Sequence, residues 1–122
     1  MSYLLVFVGG GIGAALRHGV NVATLRAFGP DLPWGTFAVN VAGSLAMGLL
    51  VGWLVARGGA ANDVRLFAAT GVLGGFTTFS AFSLDIANLA ERGELAWSVA
   101  YALGSVAAGV AALFAGLVWM RG

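Results

Sequence analysis

The chain has 122 residues, 60% of them hydrophobic and 9% charged, with a mean hydropathy of +0.94 and a formal net charge of +1. Soluble domains carry roughly 25% charged residues, so a water-soluble globule is excluded, and the near-neutral balance without any basic run gives no argument for nucleic-acid binding. Cysteine is absent, which removes disulfides and thiolate metal sites from consideration.

Four apolar stretches follow one another, from about Tyr3 to Leu25, Trp34 to Ala56, Leu66 to Leu89 and Leu95 to Met120. Each has roughly the 20 residues that a bilayer-crossing helix needs. Residues 1–122 therefore read as one all-α membrane domain of four transmembrane helices. The first stretch opens Met1-Ser2-Tyr3, without a basic n-region or a small-residue cleavage site, and is expected to be a mature span rather than a signal peptide. Its Gly9-Gly10-Gly11-Ile12-Gly13 run invites comparison with a dinucleotide fingerprint, but no strand–turn–helix unit surrounds it, so no nucleotide site is expected. Asp31-Leu32-Pro33 and Gly58-Gly59 read as turns. Trp34, Trp53, Trp97 and Trp119 lie near the expected helix ends, where amphipathic aromatics anchor at headgroups. Small-residue seams, Gly43, Ser44 and Gly48 in the second span and Gly104, Ser105 and Gly109 in the fourth, suit close helix packing.

The third span carries the most informative segment, Gly71-Val72-Leu73-Gly74-Gly75-Phe76-Thr77-Thr78-Phe79-Ser80-Ala81-Phe82-Ser83. It sets a glycine-rich break, a cluster of hydroxyls and a ladder of phenylalanines at membrane depth. Irregular backbone is tolerated there only when buried in protein or lining a polar path. A broken membrane helix with polar side chains at the break marks a binding or conduction site, here for a small ion.

Loop charges do not orient the chain. With four spans, both termini and the second loop share one side, holding Arg57, Arg65 and Arg121; the other side holds Arg26 and Arg92, with Arg17 leaning toward it. There is no lysine. An arginine and lysine excess is what sets topology, and none exists. Either a single residue or a partner decides, or the chain inserts both ways up and forms an antiparallel homodimer. Four short helices enclose a pore poorly, which favours the dimer.

Gly35-Thr36 with Asn40 and Gly43, Arg17 late in the first span, and Gly74-Gly75-Phe76-Thr77-Thr78-Phe79-Ser80-Ala81-Phe82-Ser83 resemble the Fluc (CrcB) fluoride channels over the whole chain. The resemblance implies an antiparallel, dual-topology homodimer in a bacterial-type inner membrane that lets fluoride leave the cytoplasm passively, with no catalysis. It implies that Phe79 and Phe82 are pore phenylalanines, Asn40 the pore asparagine, and Tyr101 and Ser105 a polar track beside them. Family members often carry another hydroxyl one turn after Ser105, where this chain has Gly109. A central structural sodium held by backbone carbonyls is also implied, at Gly74 and Thr77 by alignment, with Gly75 and Thr78 adjacent.

The chemistry is coherent. Fluoride is small and tightly hydrated, so a dry pore must replace water's donors. Asn40 offers amide N–H groups, and Thr36, Thr77, Thr78, Ser80 and Ser83 offer hydroxyls. Phe79 and Phe82, three apart, share a helix face. A ring's positive edge meets an anion without a full charge, and conduction requires binding weak enough to release. Arg17, inside the first span, is expected either at the vestibule or snorkelling to the interface. His18 reads as an interface residue. Asp85, one turn past the phenylalanines, stands where some relatives have glutamate, near the pore mouth.

Two rivals deserve statement. A small four-helix drug/proton antiporter needs a membrane carboxylate, and Asp85 is the sole candidate. A non-transporting scaffold would account for helices and glycines but not for hydroxyls and phenylalanines paired at a break.

Overall fold

The computed structural model describes residues 1–57 and 62–121, with backbone alone at 121. Lipid offers no hydrogen-bond partners, so an apolar chain satisfies its amides within helices. Helix α1 (Ser2–Phe28) ends at Gly29, whose φ of 81° lets its N–H close onto the Leu25 carbonyl at 2.9 Å. Helix α2 (Trp34–Ala56) starts directly after Pro33, which has no N–H to leave unpaired. The third span is composite: α3 (Asn62–Val64), a π-helical stretch (Arg65–Leu73), α4 (Gly74–Phe76) and α5 (Phe79–Glu91). A turn at Gly93 (φ 80°) leads to α6 (Leu95–Arg121). The expected Gly58-Gly59 turn lies outside the described residues.

Four helical stretches are long and apolar enough to cross a membrane: Ser2–Phe28, Trp34–Ala56, Asn62–Glu91 and Leu95–Met120. No strand forms among the described residues. The loops before α2 and α6 meet at one end. There the Arg92 guanidinium donates to the Asp31 carbonyl and, at 3.0 Å, to Glu94.

Packing runs through small residues. Helix α2 lies along α6, with Gly48 against the Leu113 carbonyl and Gly116 against Leu45. A Cβ at Gly116 would come within 2.6 Å of the Leu45 oxygen, so backbone approach here requires glycine. Helix α1 packs on the third span in the same way, Gly9 and Gly13 facing Phe67 and Val72.

The third-span glycines therefore do something other than the sequence reading expected. Helical geometry persists through Gly74–Phe76. The residues that leave it are Thr77 (φ −84°, ψ 158°) and Thr78 (φ −151°, ψ 126°), both extended. Gly71 and Gly75 admit α1 instead, against Gly9 and Gly10.

The enclosed core is small, centred on Val39 (0% exposed) and Leu89 (2%). Tyr3, Phe7, Leu84, Leu103, Phe114 and Trp119 face outward. Such an apolar exterior fits lipid rather than water.

Candidate functional site

The interruption at Thr77–Thr78 is held from a distance. The Asn40 amide on α2 forms a reciprocal pair with Thr78: Nδ2 donates to the Thr78 carbonyl at 3.0 Å, and the Thr78 N–H donates to Oδ1 at 2.8 Å. This is the pairing that a strand neighbour would supply, made by one side chain. In an unbroken helix the Thr78 N–H would go to the Gly74 carbonyl, four residues back; Asn40 takes it instead. The Ala81 N–H, which would go to the Thr77 carbonyl, is taken at 3.2 Å by the Thr78 hydroxyl acting as N-cap of α5. The Thr77 hydroxyl donates back to Leu73 at 3.1 Å.

Restarting the helix at Phe79 sets an aromatic ladder. Phe79 and Phe82 have centroids 5.8 Å apart at 51°, and Phe82 and Tyr101 5.3 Å apart at 51°. These tilted pairs direct ring edges past one another. Phe82 is 8% exposed, whereas Phe79 is 77% exposed on the outer surface of the chain. The Tyr101 hydroxyl donates to Asp85 at 3.1 Å and closes the ladder.

Two cavities flank it. One, of about 360 Å³, is lined by Asn40, Thr77, Thr78, Phe79, Phe82 and Ser105, together with Ser44 and Gly109. The other, of about 340 Å³, includes Thr36, Asp85, Asn21 and Thr24 at the end where α1 meets α2. Of the sequence-predicted residues, Asn40, Thr77, Thr78, Phe79, Phe82 and Ser105 line the first chamber, and Thr36 and Asp85 the second.

Five candidates line neither chamber: Tyr101, which fronts a separate apolar pocket with Trp34 and Trp97, together with Gly74, Ser83, Ser80 and Arg17. Ser83 is exposed. Ser80 shares a 3.3 Å hydroxyl contact with Thr78. Arg17 turns inward, its Nε donating to the Gly75 carbonyl at 3.1 Å. The charge is thereby matched to a helix-end carbonyl, which also bears partial negative charge.

Sequence reasoning missed Ser44, Asn21, Thr24 and Ser98. Ser44 was legible, since it follows Asn40 by one turn and so shares its face. Asn21 and Thr24 carried no comparable signal, because only the approach of Gly35 on α2 to both side chains brings them to the chamber. Ser98 donates to the Ile86 carbonyl at 2.9 Å and staples α6 to α5. Among the described residues no group of three His, Cys, Asp or Glu could hold a metal ion.

Membrane-length helices with small-residue contacts, the third span interrupted by an asparagine clamp beside paired phenylalanines, define a multi-pass membrane protein with polar side chains gathered at two cavities in an otherwise apolar body. Over residues 4–117 the chain matches the family described as CrcB-like protein, Camphor Resistance (CrcB), and it belongs to that family. It is 60% identical over 121 residues to "Fluoride-specific ion channel FluC 2" of Nitrobacter hamburgensis, covering 99% of this chain and 98% of that protein. "Fluoride-specific ion channel FluC" of Rhodopseudomonas palustris is 54% identical over 121 residues, with the same coverage. The protein of that name from Mesorhizobium japonicum is 59% identical over 119 residues, covering 98% and 94%.

Proposed function

We propose that this chain is a fluoride-selective ion channel, not an enzyme, and that it lets fluoride leave the cytoplasm passively across a bacterial-type inner membrane, so lowering fluoride toxicity. The observation that carries the reading is the reciprocal Asn40–Thr78 pair, which holds the third span open beside the Phe79–Phe82–Tyr101 ladder. A stripped anion needs donors that carry no full charge. Neutral hydroxyls and ring edges fit that need, and they release the ion because no arginine or other charged side chain among the described residues lines the chamber with them. Thr36 at one chamber and Ser105 at the other would offer hydroxyl donors to the ion, while the Asp85 carboxylate, which accepts from Tyr101, stands at the vestibule and donates nothing to an anion.

The working unit we propose is an antiparallel, dual-topology homodimer. Phe79 is supported in this role by its exposure, since a pore ring open to lipid would meet no anion, whereas a second copy would enclose it. The evenly divided arginines are compatible with insertion both ways up.

A structural sodium ion is part of the same proposal. Its fit rests on the carbonyls that the interruption releases. Arg17 engages Gly75 and Asn40 engages Thr78, while Gly74 and Thr77 lose their helical partners to Asn40 and to the Thr78 hydroxyl. Neutral oxygen donors without a nearby carboxylate suit a hard monovalent cation. Gly74 and Thr77, rather than Gly75 and Thr78, would then hold it. When bound it would neutralise exposed carbonyl dipoles and tie two copies together.

The test is efflux from liposomes loaded with fluoride or chloride, with and without a proton gradient. Rapid, fluoride-selective, gradient-independent efflux is expected; vesicles that retain fluoride would overturn the proposal. For topology, Ser2→Cys in this cysteine-free chain can be labelled with an impermeant maleimide. Protection of about half the molecules is expected, and uniform accessibility would refute dual insertion.

A further inference from the structure

The chamber of about 360 Å³ is lined in part by Ser105, whose enclosed hydroxyl the fold leaves unserved. Ser105 is 7% exposed, and its hydroxyl has no hydrogen-bond partner among the described residues. Buried hydroxyls are nearly always partnered, and an exception calls for a ligand or water. Ser105 lies on α6 level with the Asn40 chamber, and Gly109 follows it by one turn on the same face. Across from them on α2, Ser44 follows Asn40 by one turn. All four line the same cavity. Ser44 fronts the empty place at Gly109: a Cβ built there would sit 3.5 Å from the Ser44 hydroxyl oxygen, an ordinary contact. The glycine contacts of Gly48 with Leu113 and Gly116 with Leu45 hold α2 and α6 close enough for this.

We propose that Ser44 and Ser105 form a donor pair for a partly dehydrated fluoride ion. Ser44 supplies from α2 the hydroxyl that α6 lacks at Gly109, and so continues the path beyond Phe79 and Phe82. The inference rests on the fluoride-channel reading above. Two hydroxyls can each donate one charge-assisted bond to the anion without introducing a positive charge. Gly109 keeps the space between them open.

The experiment measures fluoride efflux against fluoride concentration for the 122-residue protein in liposomes, with elution in detergent as the check on assembly. Ser44→Ala should slow efflux at low fluoride by about tenfold, the effect of one lost bond to a charged group. Ser105→Ala should do the same. Ser44→Thr, which keeps the hydroxyl, should stay within about threefold of the parent protein. The decisive arm is Ser44→Ala combined with Gly109→Ser, which returns a hydroxyl from the facing helix and should recover most of the lost flux. If Ser44→Ala conducts like the parent, or if neither Ser44→Thr nor the paired change conducts better than Ser44→Ala, the donor pair is wrong. Misfolding of Ser44→Ala leaves Ser44→Thr and the paired variant to decide by the same criteria. Parent vesicles that hold their fluoride would defeat the channel reading and this inference together; parent efflux with unresponsive Ser44 variants defeats this inference alone.

Discussion

Replacing Asn40 with aspartate separates the two things its amide does. The Oδ1 acceptor for the Thr78 N–H survives, but the Nδ2 donor to the Thr78 carbonyl becomes an oxygen facing an oxygen at about the 3.0 Å of the present bond. Leaving that carbonyl unpaired costs about 1–3 kcal/mol. The new charge also lines the chamber shared with Phe79 and Phe82. Two unit charges about 4 Å apart repel by about 4 kcal/mol at an effective dielectric near 20. At about 1.4 kcal/mol per tenfold, fluoride flux should fall by roughly three powers of ten. The assay is fluoride-electrode efflux from liposomes, with thermal stability in detergent measured alongside. Asn40→Ala serves as the uncharged comparison: it loses both bonds, so it should destabilise more than the aspartate variant. Flux within about threefold of the parent for Asn40→Asp would refute the reasoning, because an anion could not then pass beside that amide.

Phe79→Ile and Phe82→Ile remove ring edges while keeping apolar bulk; both should slow fluoride flux at least tenfold while dimer elution is retained, and unchanged flux in both would take the ladder out of the path. Gly48→Ala drives a methyl into the Leu113 carbonyl and should lower stability by about 1–3 kcal/mol. Gly104→Ala, where a Cβ meets nothing within 4 Å, should leave stability unchanged or raise it by up to about 1 kcal/mol; thermal melts in detergent compare the two. Exchanging sodium for a bulky organic cation should reduce flux or dimer elution and be reversed by sodium; activity and assembly indifferent to the exchange would remove the ion from the proposal.

Much of the architecture could be read before any coordinates. Backbone hydrogen bonding in a helix is local, and lipid admits little else, so runs of apolar residues long enough to span already imply helices. Gly29 and Gly93, each with positive φ, and Pro33 stop or start them by their own stereochemistry. The Gly-Gly-x-Thr-Thr-Phe-Ser string likewise marked the neighbourhood of the site.

Tertiary contacts decided the rest. Glycine content pointed to Gly74 and Gly75 as the interruption, yet both stay helical, and Gly75 serves instead to admit the Gly10 backbone of α1. The ladder parts at Thr77 and Thr78 because Asn40, 38 residues away, outcompetes the Gly74 carbonyl for one N–H. Arg17 on the Gly75 carbonyl and Ser44 opposite Gly109 have the same origin, since each depends on how closely two helices lie. A sequence by itself determines which segments must be helical in lipid. Which carbonyls and hydroxyls are left without partners is settled only when distant helices compete for the same hydrogen bonds.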